Sequence, residues 1–286
     1  MRVLIVIAAA ALLAVALAKE PITLDYHNEI GIPLATRIKQ AEEAHDFDGA
    51  RIVGGTPAAL GAYPYLGGLL VYLTSGHTSA CGSSLVTNSK LVTAAHCWTT
   101  PASQATYFTV VLGSIRLYSG GVRLNTNRVE IHENYDTWTW NNDIAIITIE
   151  PVRLSNNIRL IALASGSNSY AGMWANAAGF GRTSDSQTNI PNDSVLNHVS
   201  LRVMTNAECR NIYGPIVIID SVLCTTAPKG QNTCGGDSGG PLSIGSPSSA
   251  VLIGLTSFGS ANGCESGAPS GFTRITAFNS WIRSRI

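Results

Sequence analysis

His96, Asp143 and Ser238 are an imidazole, a carboxylate and a hydroxyl, three groups that together can make a nucleophile. They stand in three short motifs: Thr93-Ala94-Ala95-His96-Cys97, then Asn141-Asn142-Asp143-Ile144-Ala145, then Cys234-Gly235-Gly236-Asp237-Ser238-Gly239-Gly240-Pro241. A serine hydroxyl attacks a carbonyl poorly until a neighbouring base removes its proton. An imidazole can take that proton and return it to a leaving group, and a carboxylate can fix the imidazole tautomer. Each motif alone has a plainer reading. A histidine beside a cysteine is more often packed in a core, a strand-initial aspartate is more often a cap, and glycine pairs usually mean turns. All three together, flanked by these neighbours and in the order His, Asp, Ser, are hard to obtain by chance.

Such groups need a rigid frame. The chain has 286 residues, 45% hydrophobic and 13% charged, enough for one large domain or two small ones. Its 18 basic and 18 acidic side chains leave no net charge, which gives no argument for a nucleic-acid partner. From Ile52 onward, runs of four to eight apolar residues alternate with Gly, Asn, Ser and Pro, as in Asp143-Ile144-Ala145-Ile146-Ile147-Thr148-Ile149. Short strands rich in β-branched residues predict a barrel or a sandwich. Helical periodicity is scarce; Phe278, Trp281 and Ile282 predict one amphipathic C-terminal helix. Residues 182–197 are nearly all polar and read as a surface loop holding the sequon Asn192-Asp193-Ser194.

Two pieces precede this region. Arg2 followed by an apolar run over residues 3–18, closing on Ala16-Leu17-Ala18, reads as a signal peptide cut before Lys19. The run is shorter than the roughly 20 residues needed to cross a bilayer, so a secreted protein without a membrane anchor is expected. Residues 19–51 hold seven acids against four bases and no cysteine, and read as a pro-segment or a polar tail. Six cysteines, all after Ile52, suit three bridges in an oxidising compartment.

Over residues 52–286 the sequence resembles the chymotrypsin-like serine endopeptidases of the trypsin fold. The resemblance implies an all-β chain of two six-stranded antiparallel barrels, about 52–160 and 161–286, with the active site between them and a C-terminal α-helix. It implies Ser238 as nucleophile, His96 as base and then acid, Asp143 as the group that orients His96, and the N–H groups of Gly236 and Ser238 as the oxyanion hole. A catalytically silent homologue would have lost one of the three, and all are intact. Arg51 followed by Ile52-Val53-Gly54-Gly55 is similar to a zymogen cut site, which implies a trypsin-like activating protease and an Ile52 ammonium that pairs with Asp237. The same resemblance implies bridges Cys81–Cys97, Cys209–Cys224 and Cys234–Cys264.

For the substrate pocket it implies Asn232 at the base and Gly259 and Ser270 on the walls. Ser257-Phe258-Gly259 would be the edge that pairs with the substrate backbone. A neutral base and small walls suit Phe, Tyr, Trp, Leu or Met; Asn232 departs from the smaller residue usual there, which leaves broader cleavage open. The segments 256–264 and 178–185 look closest to insect midgut chymotrypsins, near the crustacean collagenolytic proteases. Protein substrates, proteinaceous protease inhibitors and a monomeric state follow as expectations. No Cys/His spacing suggests zinc, the loop 117–124 lacks acids for calcium, and no nucleotide fingerprint occurs, so no metal or cofactor is expected.

Overall fold

The computed structural model describes residues 19–44, 56–185, 195–228 and 231–286. The leader at 1–18, the cut site at Arg51 and Ile52, and the sequon at Asn192 lie outside them.

The apolar runs form two antiparallel sheets. The first follows the order β6-β5-β2-β3-β4-β8-β7, from β2 (Leu66–Leu73), β3 (Thr78–Thr87), β4 (Lys90–Thr93), β5 (Ala105–Leu112), β6 (Val122–Thr126), β7 (Val129–Ile131) and β8 (Ala145–Thr148). It curves as an open half-barrel. The second contains β10 (Trp174–Gly179), β11 (Asn197–Met204), β12 (Val222–Thr225), β13 (Pro241–Ile244), β14 (Val251–Phe258) and β15 (Ser270–Arg274). Here β11 pairs β12 through Val203↔Thr225 and Met204↔Cys224, and this closes a six-stranded barrel. Two short strands, β1 (Thr56–Pro57) and β9 (Ala162–Leu163), add to β11 and β14.

Strands β2 and β3 are buried on both faces; β2 accordingly reads as a continuous apolar run, whereas β3 buries the small polar side chains of Ser79, Ser83 and Ser84. One face fills the first barrel. The other is covered by a helix that the sequence pattern did not single out, α1 (Ile32–Glu43), which enters through a single π-helical turn at His27–Gly31. Leu34, Ala35 and Ile38 of α1 are buried with Leu66, Leu70 and Ala80. Pro33 in its first turn costs no hydrogen bond there. Helix α2 (Asn206–Tyr213) begins at a capping box, in which Thr205 accepts from the Glu208 N–H and the Glu208 side chain accepts from the Thr205 N–H. Helix α3 (Ile275–Arg283) buries Ile275, Phe278 and Ile282 against the second barrel. Trp281, grouped with that face by its spacing, lies half-exposed at its margin, with the Arg285 guanidinium 4.3 Å above its ring.

Disulfides join Cys81 to Cys97, Cys209 to Cys224 and Cys234 to Cys264. The first ties β3 to the turn that bears His96. The second ties α2 to β12, and the third braces the loop before Ser238.

Candidate active site

The three motif residues converge where the two barrels meet. His96 sits in a 3-10 turn (Ala95–Cys97) that ends β4, and Ala94 before it is extended. Asp143 immediately precedes the apolar run into β8. Trp140 and Asn142 both hold positive φ, 55° and 58°, an uncommon conformation for non-glycine residues and a costly one for tryptophan. This bend turns the Asp143 carboxylate inward. His96 Nδ1 lies 2.7 Å from Asp143 Oδ2, and the His96 backbone N–H donates to Oδ1 at 2.9 Å. Both side chains are wholly buried.

Asp143 takes two further bonds from the other barrel. Ser257 Oγ donates to its Oδ2, and Thr273 Oγ1 donates to its carbonyl, each at 2.6 Å. A buried carboxylate is costly unless its lone pairs are filled, and here each oxygen is. The sequence reading placed Ser257 on the substrate edge and did not foresee this hydroxyl bond. Nor did it single out Trp140, whose ring stacks on His96 with 4.2 Å between centroids and 8° between planes. An aromatic three residues before Asp143 was the available signal.

Ser238 lies on a tight loop before β13. Gly236 and Gly239 adopt φ of 108° and 77°, which an L side chain rarely does. Gly82 N donates to Ser238 O at 2.7 Å and Gly239 N to Thr256 O at 2.7 Å, so the loop is pinned to both barrels. A β-carbon on Gly82 would stand 2.8 Å from the Gly240 Cα, so only glycine admits this approach. Asp237 is buried beside the loop, and its carboxylate accepts from Gly181 N and Cys234 N, both at 2.9 Å. Burial pushes its pKa up to about 6. Among the described residues no cationic side chain pairs with it. A void of about 30 Å³ borders Asp237, His198 and Asn232.

A cavity of about 200 Å³ opens next to Ser238. Its walls include Thr233, Ser257, Phe258 and Gly259, and its roof is Thr23, Tyr26, Glu29 and Ile30. Gly259 gives the slot its breadth, since a β-carbon there would meet nothing within 4 Å. Asn232 and Ser270 stand behind the wall rather than on it. Asn232 Oδ1 accepts from Ser270 Oγ at 2.6 Å, its Nδ2 donates to Ala268 O at 3.0 Å, and Ser270 is fully buried.

The trypsin family model matches residues 52–282. The chain belongs to the trypsin family. This trypsin-family serine protease is 35% identical over 236 residues to a collagenase of Hypoderma lineatum, covering 82% of this chain and 86% of the relative. It is 35% identical to brachyurin of Leptuca pugilator over 238 residues, covering 82% and 98%. Serine protease 1 of Drosophila melanogaster is 34% identical over 237 residues, covering 82% of this chain and 84% of the relative. A solved structure of HL collagenase superposes with a TM-score of 0.73 at 35% identity, covering 82% of this chain and 97% of that one. The protease is thus a mostly-β serine peptidase with three disulfides. No helix among its described residues is long and apolar enough to cross a membrane.

Proposed function

We propose that the protease is the secreted zymogen of a digestive endopeptidase, activated by a trypsin-like cut after Arg51, that hydrolyses peptide bonds after large apolar or aromatic residues. The observation that supports it best is the buried 2.7 Å pair of His96 and Asp143 beside Ser238. His96 removes the Ser238 proton as Oγ attacks the scissile carbonyl. Asp143 stabilises the imidazolium, which then protonates the leaving amine. The N–H groups of Gly236 and Ser238 receive the oxyanion. Water repeats the sequence on the acyl-enzyme and frees the acid. No metal or cofactor enters these steps.

Asp237 is the activation group. A buried carboxylate with no cation is unfavourable, and the Ile52 ammonium freed by the cut supplies one beside the small void at Asp237. The neutral floor behind the slot gives a substrate cation no partner, so apolar side chains are favoured. Protein substrates, proteinaceous inhibitors and a monomeric state belong to the same reading.

The test is to cut the purified chain with trypsin and profile cleavage of a mixed peptide library. Cuts mainly after Phe, Tyr, Leu and Met are expected. Cuts spread over Arg, Gln and small residues support a second reading, broad collagenolytic specificity, which the name of one relative, collagenase, favours. No cleavage at any dilution of the cut protein, despite a clean Ile52 terminus, would overturn both.

A further inference from the structure

The segment before the cut site lies across the candidate active site in three successive contacts. At its start, Ile22 forms an antiparallel bridge with Ser260, and Ala261 N donates to Pro21 O at 2.9 Å. The Glu20 carboxylate accepts from Ser260 Oγ and from Asn262 Nδ2. This is the continuation of Ser257-Phe258-Gly259, the edge assigned above to the substrate backbone. In the middle, Tyr26 is 2% exposed; its hydroxyl donates to Ala80 O at 2.6 Å, and its side chain borders the same cavity as Ser238. Its ring stands edge-on to His96 at 4.9 Å. His96, held between Tyr26 and Trp140, has no exposed surface.

The third contact anchors the other two. Leu34 of α1 sits over Gly236, where an added β-carbon would lie 2.0 Å from its Cδ2. At the end of α1, the buried Glu42 carboxylate accepts from Leu117 N at 2.7 Å, Tyr118 N at 2.9 Å and Ser119 Oγ at 2.7 Å. A charged side chain is buried in that way only where its bonds are supplied by a fitted partner. The first contact covers the substrate edge, the second the nucleophile and base, and the third the glycine of the oxyanion loop.

We propose that residues 20–43 are a built-in inhibitor of this site, and that cutting after Arg51 converts it from a tethered to a dissociable one. Activity then requires two events, the cut and the departure of the segment. The proposal rests on the hydrolase reading above. Every cysteine of the described protein is already paired outside this segment, so after the cut only non-covalent contacts hold it. A bound group that loses its tether loses its effective concentration, and its occupancy becomes a matter of dilution.

The experiment uses the full chain, cut with limiting trypsin that is then quenched, with the new Ile52 terminus and the intact mass of the segment both verified. Turnover of a short chromogenic peptide is measured across a dilution series, and the cut protein is also passed over a gel-filtration column at micromolar concentration. Specific activity is expected to rise at least about tenfold on dilution from micromolar to nanomolar protein, and the segment is expected to co-elute with the barrels. In Tyr26→Ala and Glu42→Gln the dilution dependence and the co-elution are both expected to weaken. Glu42→Gln keeps most of the shape and guards against a folding defect. Constant specific activity with a segment that elutes separately would overturn the proposal. Co-elution without activity at any dilution would uphold the occupancy while overturning the hydrolase reading.

Discussion

Ser257 Oγ, at the penultimate residue of β14, donates to Asp143 Oδ2 across the boundary between the barrels, at 2.6 Å. That oxygen is also the one that faces His96 Nδ1. The position of the imidazole is thus fixed by one carboxylate whose own position is fixed by a hydroxyl from the opposite barrel. Ser257 is a positioning residue. Ser257→Ala leaves a buried carboxylate one bond short, a loss of about 1.5–3 kcal/mol for a bond to a charged group. If that loss falls on the transition state, kcat drops about ten- to a hundredfold with KM nearly unchanged. Steady-state kinetics on the cut protein check this; an equal change in KM would mean that Ser257 acts on substrate binding.

Asp237 makes the uncut chain sensitive to pH. Burial raises its pKa from 3.8 to about 6. Between those values the folded protein binds a proton that the unfolded chain has released, so stability falls as pH rises through this window. A shift of about two units corresponds to about 3 kcal/mol. Thermal denaturation of the uncut chain at intervals from about pH 4 to about pH 7 is expected to show a falling Tm, and Asp237→Asn is expected to flatten the curve. After the cut, the proposed pairing with Ile52 is expected to reverse the trend. A wild-type curve already flat in the uncut chain would show that Asp237 has a cation partner before activation.

Thr205 tests the support beneath the second barrel. Its hydroxyl caps α2, which carries Cys209 and the ring of Tyr213, and the Tyr213 hydroxyl donates to Pro269 O at 2.5 Å. Thr205→Ala removes a cap worth about 1 kcal/mol. Calorimetry on the uncut chain should register that loss as a drop in Tm of about 2–4 °C with unchanged kinetics after the cut.

The site was legible in the sequence wherever its chemistry is held in a contiguous motif. His96, Asp143 and Ser238 each bring their own turn: the 3-10 turn, the positive-φ bend and the glycine loop. Strands β2, β5 and β8 were legible because burial leaves an apolar run, whereas β3, rich in serine and threonine, and the largely exposed β6 carry no such run. What escaped depends on residues far apart in sequence. The acids of residues 19–51 suggested a solvated segment, yet Glu20 and Glu42 are hydrogen-bond acceptors against the protease. Leu34, Ala35, Ile38 and Ala41 follow helical spacing, and Glu42 falls on the same buried face only because three donors of a distant loop await it. The capping box of α2 was present as Thr205 and Glu208, a local signal that a search for helix starts finds. Resemblance put Asn232 at the pocket base, but that its amide is committed to Ser270 and Ala268 behind the wall is a tertiary fact.

Gly259 is the position at which the breadth of the slot can be changed without disturbing the rest. It borders the cavity beside Ser238, its φ lies outside the left-handed region, and a β-carbon there meets no atom within 4 Å. Gly259→Val therefore fits the folded chain and should change stability by no more than about 0.5 kcal/mol. Its methyl groups have to occupy the space that a Phe or Leu side chain of a substrate would enter. Each methylene that a pocket can no longer accommodate is worth about 1–3 kcal/mol, so kcat/KM for Phe and Leu substrates should fall by at least about tenfold. Substrates with Ala at the same position should lose far less, and the ratio of the two rate constants is the quantity to measure. A parallel loss on both substrates would point instead to the backbone pairing along Ser257-Phe258-Gly259, which every substrate shares. An unchanged ratio and unchanged rates would remove Gly259 from the specificity wall altogether.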